Sequence, residues 1–139
     1  MNTIDTSTAL DELGKFFKIA GERFDAGLPA PQMFSGAVDR EWHRLTEDPA
    51  AHDTFTAEHA GRKLTHAESG GEGWIEWVDA YTRAYGPLPE VWFTDADGTL
   101  DTEALGRCRD TSKVWAEWDC SPRPGPGDGD DLTPAASYL

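Results

Sequence analysis

Hydrophobic residues recur every three or four positions through residues 7–86, and this spacing predicts four helices. The first helix covers residues 7–27, where Ser7 or Thr8 can cap its start and Gly27 ends it. Its apolar stripe consists of Leu10, Leu13, Phe17, Ala20 and Phe24. A linker with prolines on both sides of an alanine follows this helix.

Two shorter helices come next, each with a clear start signal. Ser35 opens the second helix as its N-cap. The buried stripe of that helix is Val38, Trp42 and Leu45. Asp48 and Pro49 open the third helix, because Asp is a good N-cap and Pro suits the first helical position. Gly61 ends the third helix, and residues 62–66 are predicted to be extended.

A glycine-rich segment, GGEG at residues 70–73, is predicted to be a flexible loop or a turn. The fourth helix follows it and covers residues 74–86, with Gly86 and Pro87 as its stop signal. Its apolar positions at helical spacing are Trp74, Val78, Tyr81 and Tyr85.

The periodicity changes beyond residue 90. Residues 91–94 predict a short strand, residues 95–98 a turn and residues 102–108 a short helical turn. Residues 114–120 alternate in the manner of a half-buried strand. The buried face of that strand would hold Val114, Ala116, Trp118 and Cys120. Residues 122–139 are rich in Pro, Gly and Asp and offer almost nothing to bury, so they are predicted to be disordered.

These patterns together predict an α+β fold. A helical N-terminal two-thirds with about four helices precedes a small antiparallel sheet near the C-terminus and a disordered acidic tail. We expect one globular domain over residues 1–121, with residues 122–139 as the tail. Six tryptophans among few Leu, Ile and Val residues predict an aromatic-rich core.

The net charge of −14 argues against some classes of binding partner. Direct binding to nucleic acid or to an anionic membrane is not expected, because little would neutralise phosphates. Two explanations of the acidity are open: it serves solubility, or it forms an acidic surface that docks a basic protein partner. The N-terminus has neither a basic start nor an apolar run, so we expect no signal peptide and a cytoplasmic protein with reduced thiols.

All four histidines lie between residues 38 and 66, which raises the question of a metal site. Asp39 and His43 are one helical turn apart and share a face at the edge of the predicted core. Asp39 could therefore orient the imidazole of His43 or share a metal ion with it. Glu47 is also one turn from His43, on the other side.

His66 lies on the extended segment after the third helix and could return towards His43. His59 is a possible fourth ligand, whereas His52 is two turns away from it and is expected at the surface. Imidazole plus carboxylate suits Zn(II) or another divalent transition metal. The alternative is a structural hydrogen-bonded pair of Asp39 and His43, since the spacing is not a known zinc signature.

Other residues leave further possibilities open. Cys120 could be a soft metal ligand if its strand packs against His43, or simply a small buried residue. The tryptophans could line a small-molecule pocket, and the candidates for this role are Trp42, Trp77 and Trp115. Whether the domain is a small metalloenzyme, a metal-binding domain or an interaction module without activity is not decided by these patterns.

The run Asp39-x-x-Trp42-His43 belongs to a longer pattern that continues with Phe55, Gly61 and His66. This pattern resembles a motif of the glycine-rich domain-containing protein family in its shorter bacterial form. The chain departs from that motif at Arg44-Leu45, where the family usually has a histidine or an aromatic residue. The resemblance implies a special role for Asp39, Trp42, His43 and His66. It implies no reaction, because the function of the family is largely undefined.

Overall fold

A computed structural model describes residues 6–125, which form an α+β fold, as predicted. The α-helices are α1 Thr6–Asp25, α2 Gly36–Thr46, α3 Pro49–Ala60, α4 Trp77–Tyr85 and α5 Thr102–Thr111. A short 3-10 helix covers Glu90–Phe93. The strands β1 Leu64–Trp74 and β2 Trp115–Pro124 pair antiparallel.

The local signals for α2 and α3 act as predicted. The hydroxyl of Ser35 accepts a hydrogen bond from the backbone N–H of Val38, and the carboxylate of Asp48 accepts one from that of Ala51. Both contacts satisfy N–H groups that a helix start leaves without a partner. Gly61 ends α3 with a positive φ of 77°, which costs glycine little.

The predicted loop at residues 70–73 is wrong, because these residues belong to β1. The indole of Trp118 on β2 covers Gly71 so closely that a Cβ there would lie 2.5 Å from an indole ring carbon. Glycine is therefore required here by the neighbouring strand rather than by a turn. The pairing register of the two strands shifts between Glu68 and Gly71, as at a β-bulge.

Two further element predictions need correction. Helix α4 begins at Trp77 rather than Trp74, because the backbone N–H of Ile75 donates to the carbonyl of Val114 and keeps the preceding residue in the ribbon. Residues 91–94 are not a strand. A strand would direct alternate side chains to opposite faces, whereas the 3-10 turn buries three successive apolar residues, Val91, Trp92 and Phe93.

The core is rich in aromatic residues, as predicted. Phe16 of α1 lies at its centre, with ring centroids 5.3–6.0 Å from those of Trp42, Trp77 and Trp92. All four side chains are fully buried. Helix α1 approaches α3 closely at Gly21, where an added Cβ would lie only 2.3 Å from the carbonyl oxygen of Ala60. Small residues on α1 thus set the distance between these helices.

Strand β2 alternates over residues 115–120, as predicted: Trp115, Glu117 and Asp119 are exposed, whereas Ala116 and Trp118 are half-buried and Cys120 is buried. It continues to Pro124, past the predicted domain boundary, and Pro122 is buried. The rest of the predicted disordered tail, residues 126–139, lies outside the described residues. Among the helices of residues 6–125, none has the length and apolar character that crossing a bilayer requires.

Candidate metal centre

Helix α2 carries the first two residues of the candidate site. Its start is fixed by Ser35, whose hydroxyl also donates a hydrogen bond of 2.8 Å to the carbonyl oxygen of Val91. Asp39 and His43 then project from successive turns of the same face. Nε2 of His43 lies 3.2 Å from Oδ2 of Asp39. The sequence spacing predicted this contact correctly.

Strand β1 brings the third residue. After the turn at Gly61, the backbone N–H of Leu64 donates to the hydroxyl of Thr56, and the Leu64 side chain is fully buried. His66 lies two residues further on, so its side chain points to the same face of the strand. This places its ring over α2, with only 12% of the side chain exposed.

The carboxylate of Asp39 joins the two imidazoles. Its Oδ1 lies 3.1 Å from Nε2 of His66, and the ring centroids of His43 and His66 are 4.4 Å apart. Among the described residues, these three side chains are the one group of potential ligands whose donor atoms all lie within 4.8 Å of one another. The predicted approach of His43 and His66 beside Asp39 is therefore present.

Cys120 of β2 also reaches this carboxylate. Its thiol donates to Oδ1 of Asp39 across 3.3 Å, and its backbone carbonyl accepts a hydrogen bond from Met33. Burial raises the pKa of the Cys120 thiol, and the negative charge of Asp39 raises it further. The group is consequently a neutral thiol at physiological pH, which argues against a role as a nucleophile.

Asp39 is ionised in this environment. Burial alone would raise its pKa, but hydrogen bonds from His66 and Cys120, together with the charges of His43 and His66, outweigh burial and lower the pKa of Asp39. The carboxylate thus carries its charge at neutral pH and accepts from donors on three elements. Its side chain is 27% exposed, so the site lies at the edge of the core.

Trp42 packs against one of the imidazoles of the site. Its indole packs edge-on against the ring of His66, with centroids 4.3 Å apart. Its Nε1 donates a hydrogen bond of 3.0 Å to Nε2 of His52. The prediction of His52 at the surface is therefore wrong: the side chain is fully buried and also packs against Phe17. A buried acceptor for the indole N–H explains why a histidine occupies this position.

His59, the fourth predicted ligand, is not part of the cluster. Its ring packs against Phe55 on α3, with centroids 4.4 Å apart. The same ring covers Gly14 of α1, where an added Cβ would lie 2.8 Å from a ring carbon. His59 therefore fills space between α1 and α3. His43 and His66 approach each other elsewhere, where β1 passes α2.

The tryptophans divide differently from the prediction. Of the three proposed ligand-binding residues, Trp42 and Trp77 are fully buried and only Trp115 is exposed, at 52%. Trp74, predicted to face the core from a helix, is 58% exposed because it ends β1 opposite Trp115. Trp74 directly follows GGEG in the sequence, so recognising that segment as a strand would have placed Trp74 in the strand as well.

Sequence reasoning also missed the role of Glu12 in helix α1. Its side chain is buried, and Oε1 accepts hydrogen bonds from Tyr81 and Trp92. The spacing held the signal, because Glu12 lies one turn before Phe16 on the apolar face of α1. The contact ties α1 to α4 and to the 3-10 helix rather than forming a second site.

The donor set suits a divalent transition metal. Four ligands at about 2.0–2.1 Å in tetrahedral geometry lie about 3.3 Å from one another. Nε2 of His66 lies 3.1 Å from Oδ1 of Asp39, and Nε2 of His43 lies 3.2 Å from Oδ2, the other oxygen of the same carboxylate. With one donor atom from each residue, all three lie within 4.8 Å of one another, so a modest contraction would bring them to that separation. No protein-family model, curated protein or solved structure matches this chain.

Proposed function

We propose that this chain is a metal-binding domain in which Asp39, His43 and His66 hold one divalent transition-metal ion, with Zn(II) as the expected metal. The observation that carries the proposal is the convergence of the three side chains from α2 and β1 within 4.8 Å. Support also comes from the resemblance to the glycine-rich domain-containing protein family, whose motif singles out the same three residues.

The ligand types favour Zn(II) over Mg(II) or Ca(II), because two neutral imidazoles and one carboxylate form an N₂O set of borderline softness. In the hydrogen-bonded cluster the Nε2 atoms of His43 and His66 face the carboxylate as N–H donors. A metal ion would replace those protons at Nε2, so each neutral imidazole would carry its one proton on Nδ1. Asp39 needs no deprotonation at neutral pH, since its pKa is already lowered. Little rearrangement separates the hydrogen-bonded cluster from a coordinating one.

A small metalloenzyme is the more specific form of this proposal. The side chain of His43 is 60% exposed, so the site opens towards solvent on that side. Three protein ligands leave one tetrahedral position for water, and a bound Zn(II) lowers the pKa of such a water towards 7. Cys120, held at 3.3 Å from Asp39, is the residue that could instead complete the coordination as a thiolate.

The test is a titration of chelator-treated protein with Zn(II) and, separately, with Co(II), followed by calorimetry and by the visible spectrum of Co(II). We expect one equivalent to bind and His43→Ala or His66→Gln to weaken binding by at least about tenfold, the usual scale for loss of a ligand or its orienting group. The Co(II) spectrum also distinguishes the fourth position, because thiolate ligation adds an intense charge-transfer band that Cys120→Ser would remove.

His59→Gln is the matched control, because it removes a histidine outside the cluster. It should leave the affinity unchanged, while thermal unfolding confirms that all variants are folded. Absence of binding by the folded wild-type protein would overturn the proposal. Equal weakening by His59→Gln and His43→Ala would overturn the assignment of the ligands.

A further inference from the structure

The far end of the β1–β2 ribbon presents two exposed indoles that the core does not use. Trp74 and Trp115 are direct partners in the strand register, and their rings meet edge to face with centroids 5.1 Å apart. They are 58% and 52% exposed, whereas Trp42, Trp77 and Trp92 are fully buried. A cross-strand aromatic pair stabilises a ribbon, but that role does not require two tryptophans exposed to water.

The surroundings of this exposed indole pair, Trp74 and Trp115, are acidic. Trp115 donates its indole N–H to the carboxylate of Glu72 at 3.1 Å. On the other side of the pair, Trp74 lines a surface hollow of about 540 Å³ together with Glu76 and Asp79. Lys113 is the cation lining that hollow, so carboxylates outnumber cations there by two to one.

A second hollow, of about 520 Å³, lies on the Trp115 side and shares Val114 with the first. Its charged lining consists of Asp95, Asp101, Glu117 and Arg107, so carboxylates again exceed cations. Each indole of the pair therefore stands beside its own acidic hollow. This alternation of aromatic faces and carboxylates suits a ligand with several cationic side chains in a row.

The charge of the chain narrows the choice of occupant. A second copy would bring the same carboxylates against this surface, and the net charge of −14 makes that approach unfavourable. Nucleic acid is repelled for the same reason. A basic peptide segment would be attracted by both features of the surface, because lysine and arginine stack on indole faces and also pair with the carboxylates beside them.

We propose that the exposed indole pair and its two acidic hollows form a docking surface for a Lys/Arg-rich peptide segment of a partner protein. One cationic side chain would lie over each indole, and the neighbouring carboxylates would neutralise it. The surface is independent of the metal centre, which lies at the other end of the ribbon.

The test uses a short fluorescent Lys/Arg peptide, with a Gly/Ser peptide of equal length as the neutral probe, at physiological salt. We expect saturable binding of the basic peptide only. Trp74→Ala or Trp115→Ala should weaken it by about tenfold, which corresponds to the loss of one or two cation–π contacts. Tyr85→Ala is the control, since Tyr85 is an exposed aromatic residue that lines neither hollow.

A second set of variants changes only charges, so that the proposal can be tested even if the tryptophan variants do not fold. Glu76→Gln with Asp79→Asn keeps both indoles and should weaken binding, while Glu58→Gln on the exposed surface of α3 should not. Equal weakening by Glu58→Gln would overturn the proposal in favour of non-specific attraction. Self-association that Trp115→Ala abolishes would overturn it by assigning the pair to a second copy. Retention of binding in His43→Ala separates this surface from the metal centre.

Discussion

Nε1 of Trp42 donates a hydrogen bond to Nε2 of His52 at 3.0 Å, inside the core where neither side chain reaches solvent. An indole N–H can only donate, so Nε2 of His52 is the acceptor and a neutral His52 carries its proton on Nδ1. The same indole packs against His66. His52 therefore helps to position the indole that packs against His66 of the candidate metal centre.

We expect His52→Ala to lower the free energy of unfolding by about 2–4 kcal/mol, because it leaves a cavity and removes the acceptor of a buried N–H. Urea denaturation of the metal-free protein measures this change. His43→Ala is the control and should cost less than about 0.5 kcal/mol, since His43 is largely exposed. A loss below about 1 kcal/mol for His52→Ala would contradict the structural role.

Asp39 should make the stability of the metal-free protein depend on pH in the acid range. Its pKa is lowered on folding, so its contribution is present above the unfolded pKa of about 3.9 and is lost as the pH falls through the folded value. Asp39→Asn should destabilise the protein by roughly 1–3 kcal/mol at neutral pH, because charge-assisted hydrogen bonds are lost.

The difference between wild type and Asp39→Asn should narrow on acidification below about pH 4, where the wild-type carboxylate also becomes neutral. Urea unfolding at a series of pH values in the presence of a chelator gives the comparison. Glu58→Gln, an exposed change on α3, serves as control and should follow the wild type. A difference that stays constant down to pH 2 would rule out the assigned role of the charge.

Two glycines offer a matched pair of substitutions. Gly21→Ala should destabilise the protein by about 1–3 kcal/mol, because the new Cβ would meet the carbonyl oxygen of Ala60 at 2.3 Å and force α1 away from α3. Gly106→Ala on α5 meets nothing within 4 Å and should stabilise by about 0.5–1 kcal/mol through helix propensity. Thermal unfolding of both variants is the measurement, and shifts of the same sign would refute the close packing.

Glu12 should contribute as a buried acceptor. Glu12→Ala leaves Tyr81 and Trp92 without the carboxylate that accepts from both, and we expect a loss of about 2–4 kcal/mol in urea denaturation. Glu22→Ala on the same helix changes only an exposed ion pair and should cost less than about 0.5 kcal/mol. Similar losses for the two variants would show that the buried contact is unimportant.

Glu12 also predicts a spectroscopic effect. Burial, and then the hydrogen bond and charge of Glu12, raise the pKa of Tyr81, so folding favours the protonated phenol. This contribution to stability is present below the unfolded pKa of about 10 and is lost as the pH rises beyond it. Tyrosinate absorbance should consequently show one of the tyrosines titrating only with alkaline unfolding.

Local signals explain which parts of the fold the sequence predicted. The helix starts and stops depend on neighbouring residues alone. Ser35 and Asp48 accept hydrogen bonds from N–H groups three residues later, and Gly61 adopts the positive φ that ends α3, so their effect does not depend on the rest of the chain. Asp39 and His43 belong to the same class, because one helical turn brings them together. Their contact could be predicted without knowing the fold.

The errors arose where a distant residue decides the conformation. GGEG has the composition of a loop, but pairing with β2 and the ring of Trp118 over Gly71 make it a strand. His52 lies on α3, which has no marked apolar stripe, so only the approach of Trp42 from α2 reveals its burial. The contact of Cys120 with Asp39 likewise spans 81 positions of the sequence.

The ribbon that carries His66 and Cys120 near one end carries Trp74 and Trp115 at the other. Trp74 lies eight positions after His66, a span of about 26 Å in extended conformation. Electrostatic influence fades over about 8 Å at physiological salt, so an ion at one end exerts little field at the other. Any communication between the two ends would have to be mechanical, as a change of twist passed along a pair of strands.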